Sequence, residues 1–289
     1  MGAVALVVNA QQVAITKTTP LLQDGHEAAF YPTLNHTGDK LLYSDADAHG
    51  LKLLDLETNK VTTISNQNGA GYAPKWGEDG NVYFVTAQVN PENHLVYRSG
   101  LRFNLDNSTS QVLLEPQHGA VTIAAGTRGM AIKGEKRTFV SATHLGTSVY
   151  TQGSEIVIST GDKERRYSPV ESHAGYLWAS LSPGGDKVAF FAAGRGIVVI
   201  DLEGHIKAEL GNYEMPCWYD NNYIVAQNAS DDGYQFTSSQ ILLLKADGTF
   251  KHELTAKTSM TMQPTCGGGK IVFTTIDGHL TMLTLQITD

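Results

Sequence analysis

Tyr31-Pro-Thr-Leu-Asn-His-Thr-Gly-Asp-Lys-Leu-Leu-Tyr43, continued by Gly50-Leu-Lys-Leu-Leu-Asp-Leu-Glu-Thr-Asn-Lys-Val-Thr-Thr-Ile64, is the stretch that decides the fold. It reads as strand, Gly-Asp turn, strand, loop, strand, tight turn, strand. The same order returns at Trp178-Ala-Ser-Leu-Ser-Pro-Gly-Gly-Asp-Lys-Val-Ala-Phe190 and Gly196-Ile-Val-Val-Ile-Asp-Leu-Glu-Gly-His-Ile206. Units repeated at a spacing of roughly 40–50 residues mark a β-propeller. The turns carry Gly, Asn and Asp because short hairpin loops need positive φ.

Working outward, the innermost strands begin at Phe30-Tyr-Pro32, Tyr72-Ala-Pro74, Ala120-Val-Thr122, Leu177-Trp-Ala179, Met215-Pro-Cys217 and Met262-Gln-Pro264. Second and third strands are nearly continuous apolar runs, such as Val82-Tyr-Phe-Val85 and Ile241-Leu-Leu-Leu244. Such runs suit strands covered on both faces, as between stacked blades. Five units are regular. The third is not: Glu155 to Pro169 matches an outer hairpin, but Arg137 to Tyr150 adds an excursion. The last unit ends after its third strand, and an orphan strand, Gln12-Val-Ala-Ile-Thr-Lys17, stands at the other end. The expected fold is therefore all-β: a six-bladed propeller of four-stranded antiparallel blades, closed by the amino-terminal strand completing the last blade.

With Ser182-Pro-Gly-Gly-Asp186 at a turn and Asp55-Leu56 and Asp201-Leu202 ending third strands, the units resemble the WD40-like repeats of the TolB propeller family. The resemblance covers nearly all of residues 12–289 and implies a fold rather than a task. TolB proteins carry an additional amino-terminal α/β domain that has no counterpart here, so their envelope role does not transfer. Related propellers also occur in serine peptidases, but no Gly-x-Ser-x-Gly elbow follows.

The chain has 289 residues and a net charge of −8, with no basic stripe, which argues against a nucleic-acid partner. No run of about 18 apolar residues offers a membrane span. Ala3 to Ala10 is apolar, and Val8-Asn9-Ala10 sets small residues where a signal peptidase cuts. Residues 1–10 therefore read as a signal-peptide remnant, residues 11–289 as one propeller domain, and the destination as periplasmic or secreted. Cys217 and Cys266 fall on equivalent innermost strands of neighbouring repeats, about one residue out of step, and are expected as two buried free thiols.

In a propeller, the segments leading into the innermost strands and the loops between second and third strands surround one mouth of the channel. They present His26, Tyr31, His49, His118, His173, Trp178, Arg195 and Tyr234 as candidate ligand-binding residues. His26 and His173 hold matching positions in units one and four; with His118 they are the candidate ligands for a channel-bound metal. The resemblance adds that some propeller lyases hold a metal with histidines. The plainer reading is that these are loop residues repeated by descent, with no cofactor. Asp45-Ala-Asp-Ala-His-Gly50 starts like a calcium loop, but Leu56 stands where the last carboxylate belongs, so it reads as a polar hairpin loop. Gly126 to Gly134 and Cys266-Gly-Gly-Gly-Lys270 lack the spacing of phosphate loops.

No nucleophile-base pair or cofactor fingerprint stands out. The preferred function is an exported, non-catalytic binding protein, a monomer, holding a protein segment or a small polar or saccharide ligand at the channel mouth. The alternative is a lyase or hydrolase acting there on a saccharide or peptide, with metal assistance.

Overall fold

A computed structural model describes residues 11–22, 27–127, 129–134, 138–140, 146–161, 163–171 and 175–288. Among them the helical content is one 3-10 turn, Lys257–Ser259. The rest is strand and turn, in six antiparallel sheets arranged as an all-β, six-bladed propeller.

The first strand, β1 (Gln12–Pro20), stands apart from the blade that follows it. Blade 1 is β2 (Phe30–Leu34), β3 (Lys40–Ser44), β4 (Leu51–Asp55) and β5 (Val61–Ser65). Blade 2 is β6 (Lys75–Trp76), β7 (Val82–Val89), β8 (Val96–Asn104) and β9 (Thr109–His118). Blade 3 holds β10 (Val121–Gly126), β11 (Gly129–Gly134), β12 (Thr138–Val140), β13 (Thr147–Gln152), β14 (Glu155–Thr160) and β15 (Lys163–Tyr167). Blade 4 is β16 (Tyr176–Leu181), β17 (Lys187–Ala192), β18 (Gly196–Asp201) and β19 (Ile206–Gly211). Blade 5 is β20 (Glu214–Trp218), β21 (Tyr223–Asp231), β22 (Phe236–Lys245) and β23 (Lys251–Glu253). Blade 6 is β24 (Thr261–Gly267), β25 (Lys270–Thr275) and β26 (Thr281–Thr288), with β1 as its outermost strand. The ring thus closes as the orphan strand predicts: Gln12 pairs with Thr288 and Pro20 with Thr281, through one irregularity between Ile15 and Lys17.

The apolar runs form layers between blades. Leu42, Leu51 and Leu53 of blade 1 meet Val82, Phe84 and Phe103 of blade 2. Val225, Ile241 and Leu243 of blade 5 meet Ile271, Phe273 and Leu283 of blade 6. Each fully buried side chain of this kind contributes roughly 1.5–3 kcal/mol. Alternation along each strand sends neighbours to opposite faces, so one middle strand serves two layers: Leu42 joins the blade 1–2 layer and Leu41 the blade 6–1 layer.

Blade 3 departs from four strands, and the excursion between Arg137 and Tyr150 is the reason. The sheet runs β12-β11-β10-β13-β14-β15, and its halves are joined by the single pair Gly126–Ser148. On one face of the first half, Met130 and Ile132 pack on Tyr83 and Leu114 of blade 2. On its other face, Ala124 and Ala131 pack on Tyr150 and Val157 of the second half. The sheet is folded at Gly126–Ser148, so its halves stack on each other as neighbouring blades do. The Glu155–Pro169 hairpin is outer only with respect to β13.

On the face away from the mouth, the repeated turn Asp is a structural group. Ser182 Oγ donates to Asp186 (2.9 Å) while accepting from the Lys187 N–H (3.1 Å). Asn35 and Asp39 form the same device in blade 1, with Asn35 Nδ2 donating to the Asp39 carboxylate (2.7 Å). Hydrogen bonds from Lys40, Thr37 and Asn35 hold Asp39 well below the usual carboxylate range. Asp186 is lowered chiefly by Lys187, and Asp55 by the Thr58 backbone and hydroxyl. Depressed carboxylates contribute stability that is present above their unfolded pKa and lost as pH falls through the folded one. Denaturant titrations are therefore expected to show a plateau above about pH 5 and a decline toward about pH 2. A flat profile over that window would show these turn networks to be energetically silent.

The Cys266-Gly-Gly-Gly269 run is a close approach of two chains, not an anion cradle. A side chain at Gly267 would collide with the Asn35 carbonyl of the neighbouring blade. One expectation is overturned: Cys217 on β20 and Cys266 on β24 are joined in a disulfide, with Cα atoms 5.9 Å apart. The one-residue offset is the cause. Cys217 faces forward to blade 6 and Cys266 backward to blade 5, so the two side chains meet between the strands.

Candidate functional site: the channel mouth

Five of the strands or lead-ins around the channel carry a non-glycine residue with positive φ: Tyr31 (52°), Ala73 (50°), Trp178 (53°), Met215 (51°) and Gln263 (55°). In β2, β16, β20 and β24 the ladder to the next strand breaks at this residue, between Phe30 and Thr33, Leu177 and Ser180, Glu214 and Cys217, and Met262 and Thr265. Each is a bulge, and four of the five residues precede a proline, which cannot donate to the ladder. Left-handed backbone at such residues is strained and persists only where the surroundings over-determine it.

The surroundings do so with side-chain amides. The Gln263 N–H donates to Gln227 Oε1 (2.9 Å), and the Tyr31 N–H donates to Gln263 Oε1 (2.7 Å). Two glutamines thus tie the bulges of blades 6 and 1 to blade 5 around the mouth. Neither stands out in the sequence, because an amide has no motif; the Gln263-Pro264 pair at a strand start was the available signal. Deeper down, Trp76 Nε1 donates to the Thr33 carbonyl (2.9 Å) and Trp218 Nε1 to the Ser180 carbonyl (3.2 Å), stapling neighbouring inner strands.

The sequence-selected residues divide into three groups. Tyr31 is committed to the fold, its N–H bonded to Gln263 and its hydroxyl donating to the Ala46 carbonyl (3.1 Å). Arg195 is held by Glu209 through two contacts (2.8 and 3.0 Å). His49 is exposed, with its ring nitrogen Nδ1 against the Asn68 amide oxygen. His118 is exposed at the end of the outermost strand of blade 2, edge-on to Tyr97 with ring centroids 6.2 Å apart. Trp178 is 42% exposed and leans on Phe191, while Tyr234 is 99% exposed at the tip of the β21–β22 loop. His26 and His173 lie outside the described residues. Among the described residues no three His, Cys, Asp or Glu side chains are grouped to hold a metal ion, and the proposed trio with His118 needs both of those histidines.

Among the described residues, one carboxyl and one amine sit on the inner strands. Glu214 opens β20, and its carboxyl is pushed up by burial first and then by the charge of Asp231. Lys75 on β6 is half-buried, and burial pushes its ammonium down. Among the described residues its ammonium has no hydrogen-bond or ion-pair partner. A lowered lysine pKa means the unfolded chain holds more protons between the folded value and about 10.4, so this residue's contribution to stability rises with pH there. Lys75→Met is expected to stabilise the protein at pH 7, on the order of 1 kcal/mol, with the advantage shrinking toward pH 10. Denaturation of both proteins at the two pH values checks this; a destabilised variant would mean that Lys75 has a favourable partner.

Loops of the mouth face also gather exposed apolar side chains. The described residues include eleven large hydrophobics that are exposed, and eight of them lie on this face: Tyr72, Val89, Leu95, Leu177, Trp178, Tyr234, Phe236 and Ile276. Ile15, Val112 and Ile206 are the other three, all on outermost strands.

Comparison with known proteins agrees with this architecture. The shared feature is the propeller fold. TolB from Acinetobacter baumannii superposes with a TM-score of 0.53 at 14% identity, over 80% of this chain and 55% of that one. This chain therefore spans about half of that TolB's length. The Cps50 (Swd1) β-propeller domain of Myceliophteria thermophila superposes with a TM-score of 0.61 at 11% identity, over 94% of this chain and 99% of that one. An oligogalacturonate lyase in complex with manganese reaches a TM-score of only 0.48 at 14% identity, over 90% of this chain and 78% of that one, and carries no argument. No family model and no curated protein matches the sequence.

Proposed function

We propose that this chain is an exported, non-catalytic binding protein whose channel-mouth face takes a segment of another protein. The observation that carries the reading is the one-sided distribution of exposed apolar side chains, with Tyr234 and Tyr72 presented at 99% and 71% exposure. Solvent-facing aromatic residues on loops held by a rigid frame are typical anchors of a protein contact. The glutamine-tied bulges supply the frame, so little ordering cost falls on binding. The Cys217–Cys266 bridge supports export, since disulfides persist in oxidising compartments.

The test is selection of peptides from a displayed random library on the purified protein, followed by titration. Tyr72→Ser, Trp178→Ser and Tyr234→Ser combined are expected to weaken the selected peptides at least about tenfold, as loss of aromatic anchors does, with the thermal midpoint little changed. Peptides that bind the triple variant equally well, or a library that yields none, would overturn the reading.

A further inference from the structure

The charge pattern of the same face says what kind of segment it suits. Asp45 and Asp47 of the β3–β4 loop, Glu92 of the β7–β8 loop, Asp231 and Asp232 at the β21–β22 loop and Asp277 of the β25–β26 loop are all exposed. None of the six is in an ion pair with a described residue. Three of them cap backbone N–H groups: Asp45 accepts from His49 (2.7 Å), Asp231 from Gly233 (2.9 Å) and Asp232 from Tyr234 (2.9 Å). A cap fixes the carboxylate but leaves its charge unneutralised. Two of the cations on this face are held in ion pairs, while Arg98 keeps its charge and Lys257, in the lead-in to β24, is exposed. Lys52 is paired with Glu27, Arg195 with Glu209, and Arg98 donates to the Gly119 carbonyl. On the opposite face Asp39 is paired with Lys40, Asp186 with Lys187, Asp201 with Lys207 and Asp247 with Lys245, while Glu57, Glu78 and Asp106 are exposed and in no ion pair with a described residue.

On the mouth face, then, six exposed carboxylates outside ion pairs with described residues outnumber Arg98 and Lys257 and share the face with exposed aromatic and aliphatic side chains. Tyr234 stands beside Asp231 and Asp232, and Ile276 beside Asp277. The field reaches the inner rim, where the Asp231 charge helps to raise Glu214.

We propose that the occupant of this face is a peptide segment of mixed basic and apolar character, its lysines or arginines meeting the Asp45, Glu92, Asp231 and Asp277 region while its aromatic or aliphatic side chains pack on Tyr72, Trp178 and Tyr234. This rests on the binding-protein reading and adds the partner's chemistry. Complementary charge steers encounter and rejects like-charged competitors, while the apolar contacts hold the complex.

Two fluorescein-labelled nonapeptides test it by polarisation, one alternating Lys with Trp, Leu and Phe, the other with Glu in place of every Lys. At 50 mM NaCl the lysine peptide is expected to bind at least about tenfold tighter than the glutamate peptide, and to weaken about tenfold on raising salt to 500 mM, as screening of exposed charges requires. Asp47→Asn, Glu92→Gln, Asp231→Asn and Asp277→Asn together are expected to weaken it about tenfold. Asn keeps the carbonyl oxygen that caps Gly233, so the loop is retained, and the thermal midpoint reports that. Glu57→Gln, Glu78→Gln and Asp106→Asn on the opposite face are expected to change nothing. Equal binding of the two peptides, with both lost in the Tyr72, Trp178 and Tyr234 variant, would overturn the basic-segment proposal and leave the binding face intact. Binding unaffected by either set of mouth substitutions, or no binding at all, would overturn both.

Discussion

Removal of residues 1–20 is expected to abolish the stably closed ring. Strand β1 contributes a full ladder to β26, from Gln12–Thr288 to Pro20–Thr281. Val13 also packs on the blade 5–6 layer. At about 0.5–1.5 kcal/mol net for each ladder hydrogen bond, the loss is on the order of 5 kcal/mol, comparable with the whole stability of many domains. It also bares β26 as an unpaired edge with Leu283 and Leu285 beside it, a template for another chain. Gel filtration is expected to show aggregates or a dimer, and denaturation a transition shifted far to lower denaturant. A truncated chain with the elution volume expected for an unchanged oligomeric state and an unchanged midpoint would show that the strand decorates the ring without closing it.

Cutting the Cys217–Cys266 bridge is the second large effect. The cross-link closes a loop with a sequence separation of 49 residues between the inner strands of blades 5 and 6. Loop-closure entropy for that length corresponds to about 4 kcal/mol, as an upper figure, because a compact unfolded chain forfeits less. For a chain of this size the thermal midpoint of Cys217→Ser/Cys266→Ser is expected to fall by roughly 6–8 °C. Treating the unmodified protein with dithiothreitol should reproduce most of that fall, while leaving the double variant unaffected. If reductant changes neither protein, the two sulfurs are thiols, and the support that the bridge lends to export goes with them.

Most of the fold was legible because a blade is a local object. The Gly-Asp turn at Gly38-Asp39 lies between β2 and β3, and the Leu41-Leu42 pair meets Leu54 and Leu53 on the very next strand, so the pairing is local in sequence, and repetition made one copy a check on the next. Ring closure was legible for a different reason: a final unit short of one strand and an orphan strand at the other end leave one economical pairing. Blade 3 was illegible in detail because its fold depends on Ala124 and Ala131 being small enough for Tyr150 and Val157 to stack on them, a fact about shape across a sheet.

The mouth was legible as a list and not as a surface. Tyr31 and Arg195 were chosen for their chemistry, yet the Ala46 carbonyl and Glu209 claim their side-chain polar groups. Trp178 and Tyr234 were chosen on the same grounds and do stand in solvent. Residue type cannot distinguish these cases, since the partners lie a blade away or across a loop.

The order of residues by itself determined strand periodicity, turn chemistry, the number of repeated units and the means of closure, all of which follow from alternation and backbone sterics over short spans. Only the tertiary structure decided that a one-residue offset brings Cys217 to Cys266, that burial on an inner strand lowers the Lys75 ammonium, and that Asp45, Glu92, Asp231 and Asp277 stand exposed and outside ion pairs with described residues while Arg195 is taken by Glu209. Pairing and solvation depend on distances between blades, and those are set when all the sheets pack against one another.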